Sequence, residues 1–318
     1  MINTVLGPIP NDELGPTLMH EHILVNMIGA EFTKKTYTTN EVVEYLLPYL
    51  VDAKKKGLST ICEATPKGFG RDTDVLVQCA KESGLNIIAC TGAWDAHKVR
   101  GKCVPKDIRE KSIDEITSVW VDEFENGMDN TSIKPGFIKM ALGDEGEIFP
   151  IQEKLLRAAI RTSKQTGLRI HCHVWLSQLM PRIIEILKEE HLPFDHFNWV
   201  HADNSIDNPI VYEYAKMGMW IQFDGIGWIE SYERYPSAIN KLVDKNLIKQ
   251  LLFGQDAGCF DKKKSKDENH KQEMNPYATF FDKFMPYCHK HKITDELLNQ
   301  VLVQNAQNAL TVIKVKKE

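Results

Sequence analysis

The chain has 318 residues, 42% of them hydrophobic, and a formal net charge of −5. That length suffices for one large domain with a well-buried core, and the acidic balance argues against nucleic acid as the main partner, which calls for a basic face. A small anionic substrate stays open, because local charge can oppose the total. The opening MINTVLGPIPNDELG lacks the basic flank and apolar core of a targeting signal, and no run approaches the ~18 apolar residues of a membrane span. The expectation is a cytoplasmic protein with no membrane partner. Seven cysteines, an odd number with no C-x-x-C spacing, fit a reducing compartment better than a disulfide framework.

Taken in chain order, short β-rich runs recur: TLMHEHI (17–23), STICEAT (59–65), NIIACTG (86–92), GFIKMAL (136–142), LRIHCH (168–173), FNWVH (197–201), MWIQFDG (219–225) and LLFGQD (251–256). Helical spacing fills the intervals. RDTDVLVQCAKESG predicts a helix with Asp72 as N-cap and Gly84 as its stop. In PIQEKLLRAAIRTSKQTG, Ile151, Leu155, Leu156, Ala159 and Ile160 form one apolar stripe, Pro150 suits the first turn and Gly167 the C-cap.

Eight apolar strands alternating with helices predict a parallel sheet closed on itself, an α/β fold of the (β/α)8 TIM-barrel type, as one domain over 1–318. An open doubly wound sheet is the alternative, disfavoured because no G-x-G-x-x-G follows an early strand. In such a barrel the active site lies at the C-terminal ends of the strands.

Three H-x-H pairs occur. His289 and His291 lie among lysines in CHKHK and read as solvated surface. His20/His22 and His171/His173 lie in strand-like runs, where side-chain alternation turns both members of a pair to one face. The strand ends collect His20, His22, Lys139, His171, His173, His201 and Asp256. Imidazoles, one lysine and one carboxylate at one rim suit a metal site. Lys139 is the unusual member: either phase of FIKMAL buries part of it, and a buried ammonium tends to lose its proton. A neutral lysine amine adds carbon dioxide to give a carbamate, an anion that two divalent cations would stabilise.

The segments TLMHEH, STICEATPKGFGRDTDVLVQCAKESGLNIIACTGAW, GFIKMAL, LRIHCH, WVHADN and FGQDAG resemble, in the same order, the phosphotriesterase family of the amidohydrolase superfamily. The resemblance implies a (β/α)8 barrel with a binuclear metal centre. His20, His22 and Asp256 would bind the more buried ion, and His173 and His201 the more exposed one. N6-carboxylated Lys139 would bridge both together with a hydroxide. Zinc is the first expectation, with manganese and cobalt as alternatives that histidine and oxygen ligands also accept. The motif favours His173 as ligand, leaving His171 one layer deeper. Asp256 is placed to take the proton of the attacking water and pass it to the leaving group. The resemblance also implies a homodimer.

Substrate must be read from the loops. Tyr232 and Arg234 after the seventh strand, and Lys262, Lys263 and Tyr277 after the eighth, offer a basic and aromatic lining where barrels often bind phosphate. Trp94 stands where the acyl-homoserine lactonase branch has a tyrosine, and Gly225 follows Asp224 where that branch has an arginine. The expected reaction is opening of a small sugar lactone carrying a phosphate, a phosphorylated aldono-1,4-lactone. A phosphotriesterase or phosphodiesterase is the nearest alternative. A mononuclear deaminase, which would not need Lys139, and a non-catalytic binding protein are further ones.

Overall fold

In the computed structural model, which describes residues 1–26, 28–31, 34–96, 101–143, 145–229, 231–260 and 275–315, the eight β-rich runs become the staves of a parallel barrel. An antiparallel hairpin of β1 (Ile2–Thr4) and β2 (Gly7–Ile9) precedes them. The first two staves are β3 (Thr17–Glu21) and β4 (Thr60–Glu63). The third comes in two pieces, β5 (Asn86–Ile88) and β6 (Cys90–Gly92). The others are β7 (Phe137–Leu142), β8 (Ile170–Val174), β9 (Phe197–Val200), β10 (Trp220–Phe223) and β11 (Leu251–Phe253). Every pairing among them is parallel.

Two joints complete the ring. The third stave pairs with β4 through β5 and with β7 through β6, changing partner at Ala89. Between β11 and β3 the Asp256 amide donates to the His20 carbonyl and the His22 amide to the Ala257 carbonyl, both at 2.9 Å. The expected fold class is therefore the observed one.

Alternation sorts the side chains. On β7 and β8, Ile138, Met140, Leu142, Ile170, Cys172 and Val174 join the main core, packed with helix residues such as Leu155, Leu156 and Ala159. Facing the other way, Met19, Cys62, Ile88, Cys90, Phe137, Trp220 and Leu252 fill the barrel, and Ile2, Leu14 and Leu310 plug its floor. Burial of apolar area at roughly 25 cal/mol per Å² makes this two-sided core the main source of stability.

The helices between the staves are α1 (Thr39–Lys55), α2 (Thr73–Ser83), α3 (Lys106–Arg109), α4 (Ile113–Asn126), α5 (Pro150–Thr166), α6 (Met180–Glu189), α7 (Ile210–Lys216) and α8 (Arg234–Asp244). Pro150 opens α5, and Gly84 and Gly167 end α2 and α5 in the left-handed region at φ 71° and 84°, as the sequence implies. Asp72 takes the expected N-cap position of α2, its carbonyl accepting from the Leu76 amide, but its side chain makes no capping bond. Its carboxylate is drawn instead to the Tyr37 hydroxyl at 2.9 Å and the Lys35 ammonium at 2.8 Å, partners that outcompete a backbone amide.

The loop after β4 is held from below. Arg71, wholly enclosed, spreads its guanidinium over Glu123 at 2.6 Å and Asp129 at 2.9 Å, and donates to the Cys90 carbonyl at 2.9 Å. A bidentate, fully used fork of this kind fixes geometry as well as charge.

Gly92, at φ 107°, lets the third stave approach the backbone of Lys139 so closely that any Cβ would collide with the Lys139 carbonyl. Gly92→Ala is expected to cost roughly 3 kcal/mol or more, from clash plus a disfavoured backbone angle. A urea denaturation midpoint equal to that of the parent would show that the two staves can separate without penalty.

Candidate metal centre

At the C-terminal rim, β3 supplies His20 and, just past its end, His22. The pairing of β3 with β4 slips between Leu18 and Glu21, so simple alternation is not kept there. Met19 packs inside the barrel against Cys62, yet His20 and His22 still converge, their Nε2 atoms 3.2 Å apart.

The other ring nitrogens explain how both imidazoles are aimed. His20 Nδ1 lies 2.8 Å from Asp224 Oδ2, and His201 Nδ1 lies 2.7 Å from Asp224 Oδ1. A carboxylate only accepts, so both Nδ1 atoms carry the proton and both Nε2 atoms present lone pairs. Asp224 is fully buried and receives a further bond from the Gln222 amide at 2.9 Å, and Gln222 in turn receives one from Asn198 at 2.6 Å. His22 Nδ1 rests 2.8 Å from the Thr65 hydroxyl. Burial, then the neighbouring Lys139, pulls His20 well below the usual imidazole range. Burial acts in the same sense on His201, but the Asp224 charge overrides it and raises that group.

Lys139 reaches the middle of the cluster. It is 1% exposed, with Nζ 3.1 Å from His20 Nε2, and burial lowers its pKa against the opposing pull of Asp256 and Asp224. Asp256, at a left-handed φ of 50°, sets Oδ1 3.3 Å from His22 Nε2 and 3.7 Å from His20 Nε2. Burial opposes its charge, but His20 and His22 hold it far below the ordinary carboxylate range. Its backbone is pinned on both sides by Glu21, which accepts from the amides of Gln255 and Ala257 at 2.9 Å each.

His20, His22 and Asp256 each bring a ligand atom within 4.8 Å of the others, as do His20, His201 and Asp224. In the second group both Asp224 oxygens already accept imidazole protons, so its part is to aim rather than to coordinate. His20 and His22 bring their Nε2 atoms to 3.2 Å of each other beside Asp256, and these imidazole and carboxylate donors suit zinc, manganese or cobalt. The residues present fit a divalent ion.

His173 stands beside His201, ring centroids 4.4 Å apart and nearly perpendicular. Two stacked aromatic pairs flank these imidazoles. Phe69 and Trp94 lie 4.2 Å apart at 11°, with Phe69 against His22 and Trp94 against His173. Trp175 and Trp228 stack at 5.6 Å, with Trp175 against His173 and His201. His171 lies deeper, stacked on Phe137 at 4.5 Å, with neither ring nitrogen hydrogen-bonded among the described residues.

The expected ligand residues His20, His22, Lys139, His173, His201 and Asp256 thus share one rim, with Trp94 at its wall. The residues expected to touch substrate from the last two loops are placed differently. Tyr232 donates to the Ile226 carbonyl at 3.1 Å and packs edge-on against Phe284. Tyr277 is fully buried and donates to the His22 carbonyl at 2.6 Å, bracing the β11–β3 joint, because a phenol enclosed there must satisfy its proton locally. Arg234 is exposed and pairs with Asp207 at 3.3 Å. Lys262 and Lys263 lie outside the described residues. His289 is exposed and bonds Asp295 at 2.7 Å, in keeping with a solvated surface.

Sequence reasoning passed over Asp224, Glu21, Glu63 and Thr65. The signal available for Asp224 was its phase: it follows Trp220 and Gln222 on the inward face of β10, where a carboxylate requires a partner.

A profile of the phosphotriesterase family matches residues 1–310. Among curated relatives, a phosphotriesterase homology protein of Escherichia coli (strain K12) is 26% identical over 249 residues, 77% of this chain and 82% of its own. The N-acetyltaurine hydrolase of Homo sapiens is 26% identical over 350 aligned positions, covering 98% of this chain and 97% of its own. The crystal structure of a lactonase from Listeria monocytogenes superposes with a TM-score of 0.81 at 26% identity, over 98% of this chain and 99% of that one. A barrel whose rim gathers imidazoles, a buried lysine and a carboxylate, matched along nearly its whole length by these hydrolases, is a hydrolase and belongs to the phosphotriesterase family.

Proposed function

We propose that this chain opens a small lactone at a centre of two divalent ions, one held by His20, His22 and Asp256, the other by His173 and His201, with carboxylated Lys139 between them. The observation that carries the reading is Lys139 itself, buried with Nζ 3.1 Å from the lone pair of His20. Its pKa is lowered by burial, which leaves a fraction of neutral amine free to add carbon dioxide. The resulting carbamate would turn an awkward cation among ligands into an anion between them. When bound, the ions supply Lewis-acid polarisation of the scissile carbonyl and lower the pKa of water at the site.

The chain's own groups do the remaining work. Asp256, kept ionised and with 27% of its side chain exposed, takes a proton from the attacking water and returns it to the departing alkoxide. Phe69, Trp94, Trp175 and Trp228 exclude water from the flanks of the reacting group. Both the lactonase and the N-acetyltaurine hydrolase are named for cleavage at a carboxylic acyl carbon, which favours carbonyl over phosphorus as the centre attacked. A phosphorylated aldono-1,4-lactone remains the specific candidate. The relatives named for N-acetyltaurine hydrolysis support a second reading, cleavage of a small N-acyl substrate that carries an anionic group at its far end.

Four outcomes test this. Purified protein is expected to hold two equivalents of divalent metal by elemental analysis and to show the added mass of carbon dioxide at residue 139. Lys139→Ala is expected to lose the metal and the activity together; a fully loaded, active Lys139→Ala would end the proposal. Asp224→Asn leaves one imidazole proton without an acceptor and is expected to weaken metal retention by about 10- to 100-fold, read by competition with a chelator. A panel of plain and phosphorylated aldonolactones, N-acyl amino sulfonates and aryl phosphotriesters is expected to give the highest kcat/KM with a phosphorylated lactone. Equal kcat/KM for plain and phosphorylated lactones removes the phosphate, faster N-acyl cleavage selects the second reading, and faster triester cleavage overturns carbonyl attack.

A further inference from the structure

His20 and His201 are aimed by direct contact of Nδ1 with Asp224, whereas His22 meets a carboxylate, Asp256, only at Nε2 and has none at Nδ1. Its Nδ1 meets the Thr65 hydroxyl at 2.8 Å, and that hydroxyl lies 2.5 Å from Oε1 of Glu63. Glu63 ends β4, and Thr65 follows two residues later. Glu63 is buried at 1% exposure and already accepts two backbone amides, from Ile23 to Oε1 and from Thr65 to Oε2, each at 3.2 Å. Burial raises Glu63, but while it is ionised both its oxygens only accept, so the single Thr65 hydroxyl proton has one destination, Glu63. The oxygen of Thr65 must then accept from His22, which fixes the proton on Nδ1 and leaves the lone pair on Nε2, 3.3 Å from Asp256 and 3.2 Å from the lone pair of His20.

We infer that Thr65, polarised by Glu63, is the positioning residue that sets the tautomer and the aim of His22. Neither residue touches the reacting atoms; both act through the imidazole. The same carboxylate grips the Ile23 amide, so one group controls the ring of His22 and the backbone immediately after it. The inference rests on the proposed metal-binding role of His22; in the metal-free protein Thr65 and Glu63 must hold the Nδ1 proton against the pull of Asp256 Oδ1 on Nε2.

The test therefore begins without metal. Nitrogen-15 NMR of histidine-labelled, metal-free full-length protein, above the pH at which free imidazole is protonated, is expected to show His22 as the Nδ1–H tautomer. Thr65→Val, close in volume but without the hydroxyl, is expected to shift His22 towards the Nε2–H form, and Thr65→Ser to restore the parent signal. In competition with a chelator for zinc, Thr65→Val is expected to weaken retention by about 10- to 100-fold and Thr65→Ser by much less. Should Thr65→Val fail to fold, Thr65→Ala carries the same two measurements, because it too removes the hydroxyl between Glu63 and His22. An unchanged His22 tautomer in the variant overturns the inference. Failure of the parent protein to bind zinc, with the tautomer as expected, strikes instead at the proposed function.

Discussion

Asp224 is the constraint on which the rim depends. A carboxylate with no exposed surface inside a barrel is costly unless every lone pair is used, and here two imidazole N–H groups and an amide use them. The arrangement works in both directions. His20 and His201 stabilise the buried charge, and that charge fixes where both rings point. Behind it, Asn198 and Gln222 form a polar line through the barrel, so the aim of the rim is set by residues one and two layers below.

A second set of buried carboxylates governs the backbone. Glu21 holds the amides on either side of Asp256, and Asp203 accepts from the Gly225 amide at 2.8 Å and the Tyr235 hydroxyl at 2.5 Å. Burial, with the charge of Asp224 nearby, raises Asp203 to about 6. A Cβ at residue 225 would press on both the Asp203 carboxylate and the Tyr235 hydroxyl, at 2.9 and 3.2 Å, so the glycine there is part of the same bracing. Left-handed backbone at His201 and Asp256, φ 65° and 50°, persists because such neighbours over-determine it.

Much of this was legible from residue order alone. The apolar runs, the glycines that stop helices and the set of strand-end candidates follow from local periodicity and position, whereas the choice of His173 over His171 and the ligand roles came from the family resemblance. What escaped was set by distant partners. His20 meets Asp224 across 204 residues, and although phase turns that aspartate inward, nothing local names the two imidazoles it accepts from. The slip in β3 and the change of partner at Ala89 arise from fitting a ring together. Tyr232 and Tyr277 read as substrate lining from their place in the last two loops, yet each hydroxyl found a carbonyl within the fold, which is the cheaper end for an enclosed phenol.

The ring is joined rather than continuous at two places, Ala89 and the contact of β11 with β3, and these divide it into unequal arcs. His20 and His22 ride on the smaller arc; Lys139, His173, His201, Asp224 and Asp256 ride on the larger one or on the turns that leave it. A cation gripped by His20, His22 and Asp256 would therefore act as a stitch between the arcs, and its occupancy would be felt as mechanical closure of the whole ring, well beyond the few atoms it touches.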